Sequence, residues 1–432
     1  MNSRLLKILC IFFMIKPSLD LAYAFRLFTL GGKGISPLHL AGVFVTVYFG
    51  SLVLGKRINL PSIGFFIAFL IANAASIAIT EMYTKSVDIV HVIDVLLRIG
   101  DAYVIYLAAG FAAKESSPSD FVKLVKAISI GTFLAVVLNA VGILLGFGRI
   151  KAGSNNSLRQ TGLYHDAGVL AKIAMYNIIF TLFSFHLDLN QTRTRLFNMY
   201  AFVSIGLSIA LILSSLSRSV IVLVPICIFI YLIYYHKGAG RIAMWVVVGS
   251  IVAGTVVIGL EDTQVAGRFR SEIVVLTDPG RIKTKTDKSV NFGAYERLGS
   301  NRGQLVAYML DRFFKRDAVN QVFGNFNISP AHSDYFDILS RNGYIGLSLY
   351  LALLLSVWNR AFSFARQMND MRFRAMAASS LILITVHILL AFPFRPIMYT
   401  TTSWFMWSVL GFCFVMQDRL AAREFSLDQP RR

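Results

Sequence analysis

The chain has few charged residues for its length, and fewer still that are acidic. Of its 432 residues only 15% are charged, with 23 acidic against 42 basic side chains, whereas 56% are hydrophobic. A soluble globular domain carries about a quarter charged residues. The shortage of charge therefore excludes an ordinary soluble domain and favours a protein that places its apolar surface in a bilayer.

Cysteine is also scarce. Cys10, Cys227 and Cys413 all lie in apolar runs, and we interpret them as small core-facing or lipid-facing residues rather than disulfides or metal ligands. The sequence contains no cluster of metal ligands, no glycine-rich phosphate loop and no nucleic-acid-binding motif. The net charge of +19 is therefore interpreted as the charge of loops that flank a membrane, not as a surface for nucleic acid.

Long apolar runs dominate the rest of the chain. Each is long enough to cross the hydrocarbon layer, about 30 Å thick, as a helix, and only helices or closed barrels satisfy the backbone in lipid. The sequence predicts an all-α polytopic membrane protein with about 12 transmembrane helices. The predicted spans are approximately 5–30, 36–55, 61–80, 89–113, 122–147, 167–187, 196–215, 219–235, 241–260, 335–358, 375–393 and 397–416.

The distribution of basic residues predicts the orientation of these spans. With the N-terminus in the cytoplasm, lysine and arginine concentrate in inside segments such as 359–374 and are sparse in the short outside loops. This pattern places both termini in the cytoplasm. The first apolar stretch, which ends in Ala22-Tyr23-Ala24, also resembles a cleavable signal peptide. Lys16-Pro17 and Asp20 interrupt it and favour a retained, broken first helix.

A long hydrophilic segment, 261–334, separates two groups of predicted spans. Residues 1–260 contain the first nine spans, residues 335–416 contain the last three, and residues 417–432 form a cytoplasmic tail. The segment between them lies outside the membrane and is longer than an ordinary connection, which usually indicates a function.

Within this large loop, residues 301–318 have helical periodicity. They predict an amphipathic helix that lies on the membrane or caps a cavity, with an ordinary packing helix as the alternative. The predicted apolar face comprises Leu305, Tyr308, Met309 and Phe313, and the basic residues elsewhere are Arg312, Lys315 and Arg316.

Three arginines outside the membrane are not explained by orientation. Arg218 lies in a tight, serine-rich turn between the seventh and eighth spans, Arg159 precedes the sixth span, and Arg302 begins the amphipathic helix. Arginine forks and helix N-termini both bind phosphate groups. The three residues suit a diphosphate that bridges a lipid and a sugar. The alternative for each is an arginine that reaches lipid headgroups.

The fourth span carries His91, Asp94, Arg98 and Asp101. Spacings of three and four residues place these side chains on one helix face. Asp94 and Arg98 are expected to neutralise each other inside the bundle. This pairing leaves Asp101 without a predicted partner. A proton relay along this face is the alternative.

His332 stands at the outer mouth of the tenth span, beside Ser333, Asp334 and Tyr335. Histidine accepts a proton near neutral pH, and arginines offset the charge of a departing diphosphate. These residue types are the parts needed to move a glycan from a lipid diphosphate to an acceptor hydroxyl. The alternative is a structural histidine.

The run AHSDYFDILSRNGYIGLSLYLALL resembles the signature of the O-antigen ligase and polymerase superfamily, in which a histidine precedes Gly-x-x-Gly-Leu at the start of a helix. Here His332 is followed by Gly343 and then by Gly346-Leu347. Three further stretches are similar to arginine-containing stretches of the family. They are SLSRS with Arg218, SNRGQLVAYML with Arg302, and RQTGLYHDAG with Arg159.

The resemblance implies a GT-C-like, metal-independent, inverting glycosyltransferase of the bacterial inner membrane, with a periplasmic active site and no cofactor. Its substrate would be an undecaprenyl-diphosphate-linked oligosaccharide, and the expected partners are a flippase and a chain-length regulator of the same pathway. The implied site has His332 as catalytic residue, Arg218, Arg302 and Arg159 as diphosphate ligands, and Asp334, Tyr335 and Arg297 in support.

Within the superfamily we expect a polymerase, which moves a growing exopolysaccharide, capsule or O-antigen glycan onto the next lipid-linked repeat unit. The alternative is a ligase that transfers the glycan to lipid A–core. Ligases resemble one another in a basic residue with leucine four positions later, but Asn301 and Val306 occupy those positions after Arg297 and Arg302. A secondary transporter is the alternative from another class, although the sequence does not show the two related halves typical of carriers.

Overall fold

The structure is a computed structural model. It describes residues 2–21, 28–30, 33–35, 37–53, 55–56, 58, 60–84, 87–152, 157–164, 166–187, 195–235, 306, 308–326, 333–367 and 371–427.

The described part of the chain is helical except for two short hairpins. The helices are α1 (Asn2–Leu19), α2 (Pro37–Phe44), α3 (Gly50–Val53), α4 (Ile63–Thr84), α5 (Ile89–Ala113), α6 (Pro118–Leu144), α7 (Ala167–Leu187), α8 (Arg195–Ser215), α9 (Arg218–Tyr235), α10 (Ala318–Phe323), α11 (Asp334–Gln367), α12 (Met371–Leu390) and α13 (Thr400–Leu427). A π-helix, Val45–Phe49, joins α2 to α3, and a further short helix covers 308–314. The strands are β1 (Phe28–Leu30) paired with β2 (Lys33–Ile35), and β3 (Arg149–Ala152) paired with β4 (Ser157–Gln160), both antiparallel.

Every predicted span other than the ninth contains helical structure, and the fourth and sixth have the predicted bounds. The second is divided among α2, the π-helix and α3. The ninth, 241–260, lies outside the described residues. Among the described residues, six helices are long and apolar enough to cross a membrane, which is consistent with a multi-pass membrane protein. They are Ile63–Thr84, Pro118–Leu144, Ala167–Leu187, Arg195–Ser215, Asp334–Gln367 and Phe373–Leu390.

The first span differs from the prediction, which extended it to residue 30. α1 contains Pro17 and ends at Leu19, and the Tyr164 hydroxyl donates to the backbone oxygen of Pro17 at 3.0 Å, which satisfies a carbonyl that has no partner within the last turn of a helix. Residues 28–30 form a strand that pairs with 33–35. α1 itself packs into the bundle, where Leu9 and Phe13 are completely buried.

The centre of the bundle is α13. Its residues 400–417 are buried on every side, including Trp404 and Trp407, as expected for a helix that is apolar all round. It runs mainly along α5. A Cβ added at Gly411 would lie 2.3 Å from the backbone oxygen of Tyr106, so the two helices approach more closely there than any larger residue would permit.

The tenth predicted span is not one continuous helix. Within α11, Gly343 has φ 64° and ψ −163°, a conformation that glycine adopts at no steric cost. The chain is therefore broken between a short buried helix, which ends at Asn342, and a longer helix that follows.

Residues 308–326, hereafter the cap, pack against this break. The ring of Phe313 meets that of Tyr344 edge-on, with centroids 5.2 Å apart. In the predicted amphipathic helix, Met309 and Phe313 are buried as expected, but Tyr308 is 46% exposed. Arg312 lies over its ring at 5.3 Å. Leu305, the other predicted apolar residue, lies outside the described residues.

Donors from the cap and from α4 satisfy the backbone carbonyl groups next to the break. The oxygen of Ser340 accepts the Arg316 guanidinium at 2.7 Å and the Asn325 backbone N–H at 3.0 Å, and the oxygen of Arg341 accepts the Ser76 hydroxyl. An unpaired backbone group at membrane depth costs several kcal/mol. Burial lowers the pKa of Arg316 to about 10, so its guanidinium is still charged at neutral pH.

We predict that Gly324→Ala and Gly343→Ala destabilise the protein. A Cβ at Gly324 would lie 2.1 Å from the backbone oxygen of Arg341, and one at Gly343 would lie 2.3 Å from that of Val322. Both glycines also have positive φ, which alone costs about 1–3 kcal/mol for other residues. The loss is measured as a lower Tm of the detergent-solubilised variants.

Gly206→Ala in α8 is the matched control. A Cβ there meets nothing within 4 Å, and alanine favours the helix over glycine, so its Tm should be unchanged or higher. An equal Tm for Gly324→Ala and Gly206→Ala would contradict the close packing of cap and break.

Candidate functional site

A cavity of about 240 Å³ lined partly by charged residues lies among the ends of α1, α5 and α7, the connection between α12 and α13, and the start of α13. Its charged wall comprises Asp20, Asp94, Arg98, Lys172 and Arg395. On the predicted topology, all of these elements contribute their outer ends. Charged side chains inside a membrane bundle are costly and usually mark a functional site, so this cavity, hereafter the pocket, is the candidate site.

The charged face of α5 forms one side of the pocket. The Arg98 Nε atom lies 2.9 Å from Asp94 Oδ1, and Arg98 Nη1 donates to the backbone oxygen of Met398 at 2.7 Å. His91 lines the pocket beside them, as the spacing predicts. Arg98 therefore joins α5 to the α12–α13 connection as well as neutralising Asp94.

Asp101, on the same helix, was expected to lack a partner, but the structure gives it one. It is almost completely buried, and the hydroxyl of Thr46 donates to its Oδ1 atom at 2.6 Å. Thr46 lies on the π-helix between α2 and α3, so the widened turn supplies the partner.

A buried ion pair closes the inner side of the pocket. Lys16 is completely buried. Its ammonium donates to the Asp20 carboxylate and, at 2.6 Å, to the Thr401 hydroxyl, which itself donates to Asp20. The same ammonium lies 4.8 Å from the ring centroid of Trp404. These contacts attach the end of α1 to the start of α13.

Lys172 on α7 is a pocket residue that the sequence analysis missed. Its side chain is buried, with the ammonium 3.1 Å from the ring centroid of Tyr399 and 4.6 Å from that of Phe394. These distances are typical of a cation–π contact. The available signal was a single lysine in the apolar run 167–187.

Two arginines share one carboxylate beside the pocket. Asp337 Oδ1 lies 3.1 Å from Arg341 Nε, and Oδ2 lies 3.6 Å from Arg395 Nη1. Arg341 is buried against the ring of Phe326 at 5.6 Å, whereas Arg395 is 25% exposed and reaches the pocket wall. Positive charge therefore exceeds negative charge at this end. The sequence analysis did not single out Arg341 or Asp337.

Asp334, one of the predicted supporting residues, holds the α12–α13 connection in place. Its backbone N–H lies 3.0 Å from the carbonyl oxygens of both Ala391 and Phe394. Its carboxylate Oδ2 atom accepts the backbone N–H of Ile397 at 3.0 Å and the hydroxyl of Tyr350 at 3.1 Å. The first residue of α11 thus fixes both ends of the turn whose next residues line the pocket.

Tyr335, the next predicted supporting residue, makes a parallel contact. Its hydroxyl donates to the backbone oxygen of Ile388 at 2.9 Å, and its ring lies against that of Phe392, with centroids 4.7 Å apart. It therefore packs on the end of α12 and reinforces the same junction.

The remaining predicted site residues are only partly placed. His332, Arg302 and Arg297 lie outside the described residues. Arg218 is the first residue of α9, and Arg159 lies on β4 opposite Ile150; nothing is described of either side chain. The turn before Arg218 is as tight as predicted, since α8 ends at Ser215 and α9 begins at Arg218. β4 contacts α8, so the strand with Arg159 packs on the helix that leads to Arg218.

A comparison of the chain with protein-family models and with curated proteins finds no match. Among the described residues, no three His, Cys, Asp or Glu side chains are grouped so that they could hold a metal ion. Metal independence nevertheless stays a prediction. Function is therefore inferred from the residues of the pocket and its surroundings.

We predict that Lys16→Met lowers the stability by about 3–5 kcal/mol, because it leaves the buried Asp20 carboxylate without its cation. Removing both charges, as Lys16→Met with Asp20→Asn, should recover much of this loss. Thermal unfolding of the three proteins measures the effect.

Lys123→Met is the matched control. Lys123 is largely exposed and lies 2.8 Å from Asp120, and such surface pairs contribute about 1 kcal/mol or less. If Lys16→Met were as stable as Lys123→Met, the buried pair would not hold α1 to α13.

Proposed function

We propose that the protein is a membrane-embedded glycosyltransferase of the O-antigen ligase and polymerase superfamily, acting as a polysaccharide polymerase. It transfers an undecaprenyl-diphosphate-linked glycan onto the next lipid-linked repeat unit at the periplasmic face of the bacterial inner membrane. The whole chain would have a GT-C-like fold with twelve spans and a large periplasmic loop that includes the cap.

The observation that supports the proposal most is that Ser333 and Asp334, which follow His332, bond the connection that lines the pocket. Ser333 follows His332 in the sequence, and its hydroxyl donates to the backbone oxygen of Ala391 at 2.9 Å. Asp334 binds the same connection, whose residues Arg395, Met398 and Tyr399 line the pocket together with 400–402 at the start of α13. The proposed catalytic residue is therefore joined directly to an anchored residue beside a cationic, membrane-embedded cavity.

In the proposed reaction, the hydroxyl oxygen of the acceptor sugar attacks the anomeric carbon of the donor glycan. His332 orients this hydroxyl and takes its proton. The bond from the anomeric carbon to the diphosphate oxygen breaks, its electron pair leaves with the lipid diphosphate, and the anomeric configuration inverts. The activated glycosyl diphosphate supplies the energy, so the proposed reaction uses no nucleotide.

Cations stabilise the departing diphosphate in this proposal. Arg218 and Arg302, assisted by Arg159, would bind it through paired N–H groups. Asp334 and Tyr335 act as positioning residues, because their described contacts are with the α12–α13 connection. Arg297 would support the loop.

The proposed topology predicts opposite labelling of two exposed lysines. Lys315 in the cap and Lys123 at the start of α6 are 63% and 68% exposed. With a membrane-impermeant thiol reagent on intact cells, Lys315→Cys should be labelled, and Lys123→Cys should be labelled only after permeabilisation. The parent chain, with Cys10, Cys227 and Cys413, gives the background. The reverse labelling would overturn the orientation.

The proposed chemistry predicts that His332→Ala and Arg218→Ala each abolish glycan extension while the protein still inserts in the membrane. Arg218→Lys should also be impaired, because lysine lacks the planar fork that pairs with a phosphate. Arg366→Ala, on the opposite side of the proposed membrane, is the control and should keep its activity. Normal chain length in His332→Ala or Arg218→Ala would break the site assignment.

The measurement combines purified protein with lipid-linked repeat units and resolves the products on a gel. A ladder of longer glycans, lost in His332→Ala, supports the polymerase. Transfer that appears only after lipid A–core is added would make the protein a ligase. Transport of an unchanged solute by folded protein that forms neither product would make it a carrier.

A further inference from the structure

The pocket wall combines positive and negative charge with hydroxyl and aromatic groups. Its cations are Arg98, Lys172 and Arg395, and its carboxylates are Asp20 and Asp94. Hydroxyl groups come from 400–402 and phenol rings from Tyr164 and Tyr399. We propose that the pocket is a saccharide subsite that selects a sugar carrying a carboxylate, that is, a uronic acid of the glycan.

The positive side of the pocket is suited to a single anionic group. Arg395 shares Asp337 with Arg341 and reaches it only at 3.6 Å, against 3.1 Å for Arg341. Its guanidinium has five N–H donors, and one long contact does not use them. Lys172 adds a second cation, which is buried, to the same wall. A carboxylate placed between them would make charge-assisted hydrogen bonds.

The negative side of the pocket favours a saccharide over a phosphate group. Asp94 accepts Arg98 Nε at 2.9 Å, but a carboxylate has about four acceptor positions. A diphosphate has no hydroxyl to donate to such a group and would be repelled by it. A sugar ring presents several hydroxyl donors, which can use the acceptor positions that remain on Asp94 beside its contact with Arg98.

The aromatic groups and the size of the pocket agree with this ligand. Tyr164 is fixed by its hydroxyl, which donates to the backbone oxygen of Pro17 at 3.0 Å, and the Tyr399 ring is held under the Lys172 ammonium. Tyr164 is almost completely buried, so the half-buried Tyr399 is the ring of these two that can meet the apolar face of a sugar. A cavity of about 240 Å³ is below the range of about 300–1,000 Å³ that drug-sized ligands occupy, which fits one sugar residue.

The inference rests on the proposed function for the source of the sugar, the repeat unit of a glycan. Under that function the pocket would choose which repeat unit is extended, since it lies on the same connection as Ser333. A repeat unit with a neutral sugar at this place would lack the charge-assisted hydrogen bonds to Arg395 and Lys172, and a site built to bind a polar group discriminates against an analogue that lacks it.

The test measures binding of small probes to the purified full-length protein in detergent by calorimetry. The probes are methyl β-D-glucuronide, methyl β-D-glucoside and inorganic diphosphate. We expect the glucuronide to bind at least about tenfold more tightly than the glucoside, the factor that one charge-assisted hydrogen bond supplies. Diphosphate, whose proposed ligands are Arg218 and Arg302 rather than residues of the pocket wall, should bind equally to the parent chain and to Arg395→Gln.

Variants assign the preference to the pocket. Lys172→Met and Arg395→Gln should each remove the preference for glucuronide over glucoside, whereas Lys123→Met, which removes an exposed lysine elsewhere, should keep it. Arg395 is partly exposed, so Arg395→Gln gives the answer if Lys172→Met does not fold. The Tm of each variant shows whether it is folded.

Equal affinity for glucuronide and glucoside, diphosphate binding that Arg395→Gln abolishes, or no binding of either sugar would each overturn the inference. A preference for glucuronide that survives in Arg395→Gln would also overturn it. No donor lipid is present, so these results are separate from the gel assay. Glucuronide binding without a glycan ladder would leave the pocket assignment intact and reject the polymerase.

Discussion

The carboxylate and backbone of Asp334 tie the start of α11 to the turn between α12 and α13. Two carbonyl oxygens of the turn accept its N–H, and a backbone N–H of the turn and the hydroxyl of Tyr350 donate to its Oδ2 atom. The residues that follow the turn form the pocket wall, and the residue that precedes this junction by two is His332. The position of the wall and the position of the proposed catalytic segment therefore depend on the same set of hydrogen bonds.

Around this junction, a charged side chain from each of α1, α5 and α7 contacts a residue near the start of α13. Arg98 joins α5 to Met398, Lys16 joins α1 to Thr401, and Lys172 on α7 lies over Tyr399. Three helices are thereby attached to the connection before α13 or to the first turn of α13 itself. Buried ion pairs are weak stabilisers in general, but here they determine where polar groups lie in an otherwise apolar interior.

The positions of the helices were predictable because apolar length is a property of the local sequence, and the shared face of Asp94 and Arg98 followed from helical spacing alone. The break at Gly343 was not predictable, since a glycine in a helical pattern is usually tolerated. The groups that bond the backbone at this break also lie far away in the chain. The polar residues Asn73, Ser76 and Thr80 on α4 were visible at helical spacing. Their role was hidden, because Asn342, Arg341 and Phe326, which they bond, are brought to them only by the fold.

The close fit of the cap on the break limits how this end of the bundle can open. Gly324 and Gly343 bring the two backbones so close that no side chain fits between them, and lifting the cap would strip the carbonyl of Ser340 of the donors from Arg316 and Asn325. Moving the cap away from the break is therefore energetically unfavourable. A substrate with a long hydrocarbon tail does not need that route, because it can slide in between helices from the surrounding leaflet while its tail stays in lipid.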